Sequence, residues 1–288
     1  MKCDFHLHSN CSDGTFTPTE VVDHAHRLGL QCISLTDHDT FAGYAEAKQR
    51  CDELGIILVP GVEMTVDTKD RELHILGYFV DPEDDPLHST LDYVNQCAHD
   101  RMKKMLECLA DLGLPVTWEE VLAEAGESEL GRPHLARVML KKGQVETVAE
   151  AFQKYLGDKG EAYVRPDGIS APDAVAIIHE AGGICALAHP GVYREDNRPG
   201  REALVEFKRW GMDAVEVFHS IHDDETTSFY LRLARELDLG VTGGSDCHGT
   251  VYTPILMEKR VCPDWVGDNL FALHEAQFPD RPRPALAV

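Results

Sequence analysis

Short apolar runs alternate with longer amphipathic stretches along much of the chain. Runs over 3–8, 32–36, 56–59 and 73–80 read as buried strands. Thr17, Pro18 and Glu20 form a capping box with proline at the first helical position. The helix they open reaches about Leu28, and Gly29 stops it. A second helix over 42–54 closes at Gly55.

From 81 to about 164 the rhythm changes and only helical patterns appear. They cover 87–112, a segment opened by the capping pair Thr117 and Glu120, then 133–142 and 147–156. In the first of these Leu91, Val94, Ala98, Met102, Met105 and Leu109 recur at helical spacing and are expected to face a core. Arg101, Lys103 and Lys104 are expected on its wet face. After Gly168 the alternation resumes: helix 170–181, strand 184–188, helix 201–210, strand 213–218, helix 223–237 and a short strand 240–243. Residues 278–284 read as an extended tail. About seven sequential β/α units in roughly 200 residues predict an α/β fold with a parallel sheet closed as a barrel. The expected domains are a barrel from 1–81 and 165–288, and a helical insertion domain, 82–164, covering the active site.

The chain has 288 residues, 43% of them hydrophobic and 27% charged, which fits a globular protein and excludes a disordered tail. No apolar run approaches the ~20 residues of a membrane span, and the start lacks a signal-peptide core. Nine cysteines without regular spacing read as reduced thiols, so a cytoplasmic location is expected. Cys32, Cys51, Cys97, Cys108 and Cys185 fall in apolar patterns and read as buried fillers. The net charge of −23 argues against coating long nucleic acid. It leaves room for small anionic substrates held by metal ions.

Histidine is abundant, 15 residues, so position carries the information. In an α/β barrel the chemistry sits at the C-terminal ends of the strands. The first strand supplies His6 and His8, two apart and so on one side. Its loop holds Asp13. The second strand leads to His38, the third to Glu63, the fourth opens with Glu72 and His74, and the fifth leads to His189. The sixth ends in Glu216 and His219, and the seventh leads to Asp246 and His248. Mixed imidazole and carboxylate ligands suit Zn, Mn or Fe(II) better than a Ca or Mg cage. Nine ligands exceed the needs of one ion; two or three divalent ions are expected, with Glu63 the best candidate bridge. Asp4, Asp37 and Asp39 stand where they could fix ligating imidazoles or cap loops. Arg132, beside a helix start at Pro133, is suited to grip phosphate. His219 is a candidate pocket residue. His24, His26, His88, His99, His179, His222 and His274 receive no role. No lysine stands at a strand end, since Lys48, Lys69 and Lys208 fall on helices or loops, which disfavours an amidohydrolase-like centre bridged by a carboxylated lysine.

His6-Leu7-His8 with Ser12-Asp13-Gly14, Thr36-Asp37-His38-Asp39, Gly61-Val62-Glu63, His74-Ile75-Leu76-Gly77, Ala188-His189-Pro190-Gly191 and Gly244-Ser245-Asp246-Cys247-His248 resemble the PHP (polymerase and histidinol phosphatase) family. The insertion resembles the branch of 3′,5′-nucleoside bisphosphate phosphatases and 5′-3′ exoribonucleases. The resemblance implies a distorted seven-stranded (β/α)7 barrel with a di- or trinuclear centre. His6, His8, Glu63 and Asp246 would form one site, Asp13, His38 and His248 a second, and Glu63, His74 and His189 a third. Asp13, His38, His248 and Arg132 would be catalytic. Arg132 and His134 would bind the substrate phosphate, and Cys247 would be a buried filler. The implied activity is metal-dependent hydrolysis of nucleotide phosphate esters, including short oligoribonucleotides. Asp13 stands where the histidinol-phosphatase type has histidine, which ranks histidinol phosphate second. A metal-free interaction module is the alternative from another class.

Overall fold

The computed structural model describes residues 1–281 except 69–71, 127, 166, 194–197, 252–253 and 260–261. Lys69 and the tail from 282 onward lie outside the described residues. Among those described, seven strands form one sheet in sequence order: β1 (Cys3–Leu7), β2 (Cys32–Leu35), β3 (Ile57–Asp67), β4 (Glu72–Tyr78), β5 (Ile184–Leu187), β6 (Ala214–His219) and β7 (Gly240–Gly244). The helices are α1 (Pro18–Arg27), α2 (Tyr44–Leu54), α3 (Asp85–Asp111), α4 (Trp118–Ala125), α5 (Arg132–Lys141), α6 (Val148–Ala151), α7 (Ala171–Glu180), α8 (Arg201–Arg209), α9 (Asp224–Leu237) and α10 (Asp264–Gln277). None of them is long and apolar enough to cross a membrane.

The sheet is not uniformly parallel. β4 runs antiparallel to both β3 and β5, while the other neighbours pair in parallel. Only four residues separate Asp67 from Glu72. A parallel return needs a crossover of about a dozen residues, so the chain turns back as a hairpin. The third strand also runs eight residues beyond the expected Val59.

The ends of the sheet meet. The Asp246 N–H donates to the His6 carbonyl at 2.9 Å, and the His8 N–H to the Cys247 carbonyl at 3.1 Å. This seam needs Gly244, where a Cβ would fall 2.3 Å from that of His6. The barrel is therefore nearly closed, as a β/α barrel with one reversed strand.

One end of the interior is filled by Phe5, Tyr78, Val266, Leu270 and Phe271, the last three from α10. That helix was not among those expected. Its Gly267 lies against Met1, where a Cβ would come within 2.9 Å, and it blurs the apolar stripe. Helices α3 to α6, the last continued by a π-helical turn Phe152–Leu156, share a separate apolar cluster drawn entirely from residues between Met102 and Ala162. The expected core face of α3 is double. Leu91 and Leu109 are buried in apolar clusters, whereas Val94, Ala98, Met102 and Met105 also line a cavity. Lys103 and Lys104 are exposed, but Arg101 is buried, because Glu72 on β4 supplies its counter-charge. Cys32, Cys51, Cys185 and Cys247 are buried; Cys97 and Cys108 are only half-buried.

Candidate metal centre

Five of the six other strands deliver an expected ligand to the mouth, β6 being the exception, and reversal of β4 completes the ring. His74, near its start, pairs in register with Thr65 and so reaches the end where β3 delivers Glu63. His6 and His8 are fully buried on one side of β1. The chain bends sharply where it leaves the sheet. Asp39, His189 and Asp246 have φ of 51°, 27° and 56°. Such left-handed backbone costs of order 1 kcal/mol or more per residue and recurs at functional sites.

Glu63 is the hub. Its Oε1 lies 2.9 Å from both His74 Nδ1 and His189 Nε2. Its Oε2 lies 3.0 Å from His6 Nε2, 3.1 Å from His8 Nε2 and 3.5 Å from His38 Nδ1. Asp246 Oδ1 is 3.2 Å from His8 Nε2 and 3.4 Å from His6 Nε2. Asp13 Oδ1 is 3.1 Å from His248 Nε2, and its Oδ2 is 4.0 Å from His38 Nε2. All nine expected ligands therefore converge.

The tautomers explain what the cluster wants. His248 Nδ1 donates to the Asp246 carbonyl at 2.9 Å. In the neutral ring Nε2 is then a lone pair facing the Asp13 carboxylate. His6 Nδ1 is held by Glu216 Oε1 at 3.0 Å, which turns its Nε2 lone pair toward Glu63 and Asp246. Lone pairs against carboxylates repel unless a cation lies between them. His8 Nδ1 and Nε2, His38 Nδ1 and Asp13 Oδ1 are buried without a well-aligned hydrogen-bond partner, an arrangement that metal coordination satisfies.

The titration field agrees. Burial opposes charge on His8 and His74, yet Asp246 and Glu63 around the first, and Glu63 and Glu72 around the second, outweigh it and raise both to about 10. His6 is raised well above its ordinary value against burial by Glu63, Glu216 and Asp246. Burial pushes Glu63 and Asp246 up, and the surrounding imidazoles more than reverse it, leaving both well below the usual carboxylate range. Burial instead holds His38 down to about 3 and lowers His189, which keeps both rings neutral and able to offer a lone pair.

Two acids outside the expected ligand set complete the site. Glu216 is fully buried, holds His6 and also accepts the His189 N–H at 2.6 Å through Oε2. Its signal was an acid inside the otherwise apolar strand Ala214–His219. Asp4, Asp37 and Asp39 take the loop-capping option. Asp4 accepts the Ser245 N–H at 2.8 Å, Asp37 the Ser9 N–H at 2.7 Å, and Asp39 the Thr65 N–H at 2.8 Å. His219 accepts the Ile221 N–H on Nδ1, so its Nε2–H faces Asp246 Oδ2 at 3.3 Å.

The second of these acids, Glu72, joins the centre to a cavity of about 220 Å³. Asp13, His38 and His74 line it together with Arg101, Arg132 and Phe152. Glu72 pairs with Arg101 at 2.5 Å and with Arg132, and lies 3.6 Å from His74 Nε2. Arg132 is itself the first residue of α5 and lies over the Phe152 ring. His134 does not line the cavity. It is buried, and its Nδ1 accepts the Gly131 N–H at 3.1 Å, capping its own helix.

A barrel that gathers imidazoles and carboxylates at one end, beside paired guanidiniums, is the architecture of a metal-dependent hydrolase. Comparison with known proteins narrows the class. The PHP domain model matches residues 4–162, and the chain belongs to that family. It is 34% identical to a 5′-3′ exoribonuclease of Haemophilus influenzae, over 86% of this chain and 90% of that one. It is 32% identical to a 3′,5′-nucleoside bisphosphate phosphatase of Chromobacterium violaceum, over 85% of this chain and 86% of the relative. A solved Bifidobacterium adolescentis structure, assigned as a metal-dependent phosphoesterase, superposes with a TM-score of 0.85 at 32% identity, covering 94% of this chain and 96% of its own. The chain is a metal-dependent phosphoesterase of the PHP family.

Proposed function

We propose that this enzyme hydrolyses phosphate monoesters of nucleotides, 3′,5′-nucleoside bisphosphates first, and trims short oligoribonucleotides from the 5′ end by the same chemistry. One observation carries the reading: eight imidazole and carboxylate side chains gather with Glu63 beside a cavity that two guanidiniums also line. The relatives named above support nucleotides over histidinol phosphate, as does aspartate at position 13.

Two or three divalent ions, of Mn, Zn or Fe, are assigned to the centre. His6, His8, Glu63 and Asp246 would hold one, Asp13, His38 and His248 a second, and Glu63, His74 and His189 a third. Bound there, such ions polarise the phosphoryl oxygens and lower the pKa of an attacking water. The protein's own part is positioning. Glu216 fixes the His6 tautomer, and His219 steadies Asp246. Arg132 binds the second phosphate as a planar fork, with Arg101 behind it and Glu72 holding both until substrate competes. Residues 82–164 are read as the unit that covers the site, supported by the wall that α3 and α5 contribute.

The test is a panel on Mn-loaded protein: adenosine 3′,5′-bisphosphate, a 5′-phosphorylated short oligoribonucleotide and histidinol phosphate. The bisphosphate should turn over with the highest kcat/KM. Histidinol phosphate as the sole substrate would reverse the assignment.

A further inference from the structure

At the opposite end of the barrel lies a second group of ligand-type side chains. His179 ends α7, Cys185 sits near the start of β5, and Asp213 precedes β6. Asp213 Oδ2 is 2.8 Å from His179 Nε2 and 3.3 Å from Cys185 Sγ, and Sγ is 3.7 Å from Nε2. These atoms share one small volume. Zinc bonds of about 2.3 Å to sulfur and about 2.0–2.2 Å to nitrogen or oxygen, at tetrahedral angles, separate ligand atoms by about 3.3–3.6 Å. Both sulfur distances are close to that range, and only the His179–Asp213 pair must open by roughly half an ångström.

We propose that His179, Cys185 and Asp213 form a separate binding site for a zinc-class divalent cation. Charge supports this. One thiolate and one carboxylate neutralise a divalent ion, with neutral imidazole as third ligand. Binding breaks the Cys185 S–H bond, forms a metal–sulfur bond and releases one proton to solvent. Cys185 is buried, whereas the His179 side chain is about a quarter exposed, which gives an ion its entry and leaves the fourth position to water. The catalytic centre is distinct. His189 lies four residues further on, about 13 Å along an extended chain at ~3.3 Å per residue, and its cluster contains no sulfur. The ion would staple α7 to the starts of β5 and β6.

That difference in donor atoms supplies the test. Chelator-stripped whole protein is titrated with Co²⁺ alone and the near-ultraviolet thiolate-to-cobalt charge-transfer band is followed. The all-N/O catalytic centre is silent in this band. The expected result is a band whose final amplitude corresponds to one thiolate-bound Co²⁺ per chain, reached once the N/O centre has also filled, abolished in Cys185→Ser and roughly tenfold or more weaker in His179→Gln. Hydrolysis by both Mn-loaded variants should stay near wild type. His179→Gln keeps the test available if Cys185→Ser folds poorly. Absence of the band in wild type, or its persistence in either variant at full strength, would overturn the proposal.

Discussion

The barrel mouth and the helical segment that walls it are built on opposite principles. At the mouth several side chains are held from behind: His6 by Glu216, His248 by the Asp246 carbonyl, Asp37 by Ser9 and Ser12. The helical segment keeps its own apolar cluster and meets the mouth through a few polar links. Among the described residues these include Arg101 and Arg132 on Glu72, Asn95 on the Asp39 carbonyl, Arg137 on the Asp13 carbonyl and the Glu129 N–H on the Cys11 carbonyl, while Leu87 and Leu91 of α3 pack into the barrel's own core. A ligand cluster walled by a segment with its own apolar cluster separates chemistry from recognition. Changes at the mouth should act on kcat, and changes in the wall on KM.

The largest effect tests the mouth. Asp13→Ala or His248→Ala should lower kcat on the order of 1000-fold or more, since an ion contributes several kcal/mol to the transition state. Circular dichroism and melting should show the fold retained. Activity near wild type in either would break the assignment of chemistry to this region.

Glu216→Gln sharpens the boundary inside the mouth. A partner behind a ligating imidazole is worth about 10–100-fold in metal affinity or activity. Excess Mn²⁺ should restore much of the loss, because the ligands themselves remain. A loss that no Mn²⁺ concentration repairs would place Glu216 against substrate instead.

Arg132→Ala tests the wall. Removing a charged hydrogen bond of about 1.5–3 kcal/mol should cut kcat/KM roughly 10–100-fold, mostly through KM. The deficit should shrink for a substrate without the second phosphate. An equal fall in kcat would show that wall and mouth are not separable.

The smallest effect lies far from both regions. Burial and nearby Arg281 hold His274 below its usual 6.5 while its Nε2–H donates to the Gly182 carbonyl. The folded state therefore favours the neutral ring. Its contribution to stability is present above about pH 6.5 and is lost as pH falls below it. His274→Gln should flatten the decline of Tm between pH 7.5 and 5.5 slightly; an unchanged slope would assign the acid sensitivity to other groups.

The same contrast governs how much the sequence revealed. Metal chemistry admits few residue types, and a strand-end position is readable, so the convergence of His6, Glu63, His189 and Asp246 was foreseeable from the sequence. Reversal of β4 was hidden by placing the end of its predecessor at Val59, although the short span before Glu72 excludes a crossover. Arg101 looked solvated because its partner Glu72 lies 29 residues away, and no local pattern shows such a pairing. Glu216 stood in view at a strand end, but its role depends on which imidazole faces it. His134 turned out to cap its own helix, a use that spacing alone does not separate from substrate contact.

The most direct measurement is anomalous diffraction from crystals soaked in Mn²⁺ and phosphate, with data at the manganese edge. Two or three peaks should fall within the cluster of His6, Glu63, Asp13 and His248, with phosphate between them and Arg132. Full soaking without a peak in that cluster, or peaks only elsewhere, would contradict the claim that these strand ends form a metal centre for phosphate esters.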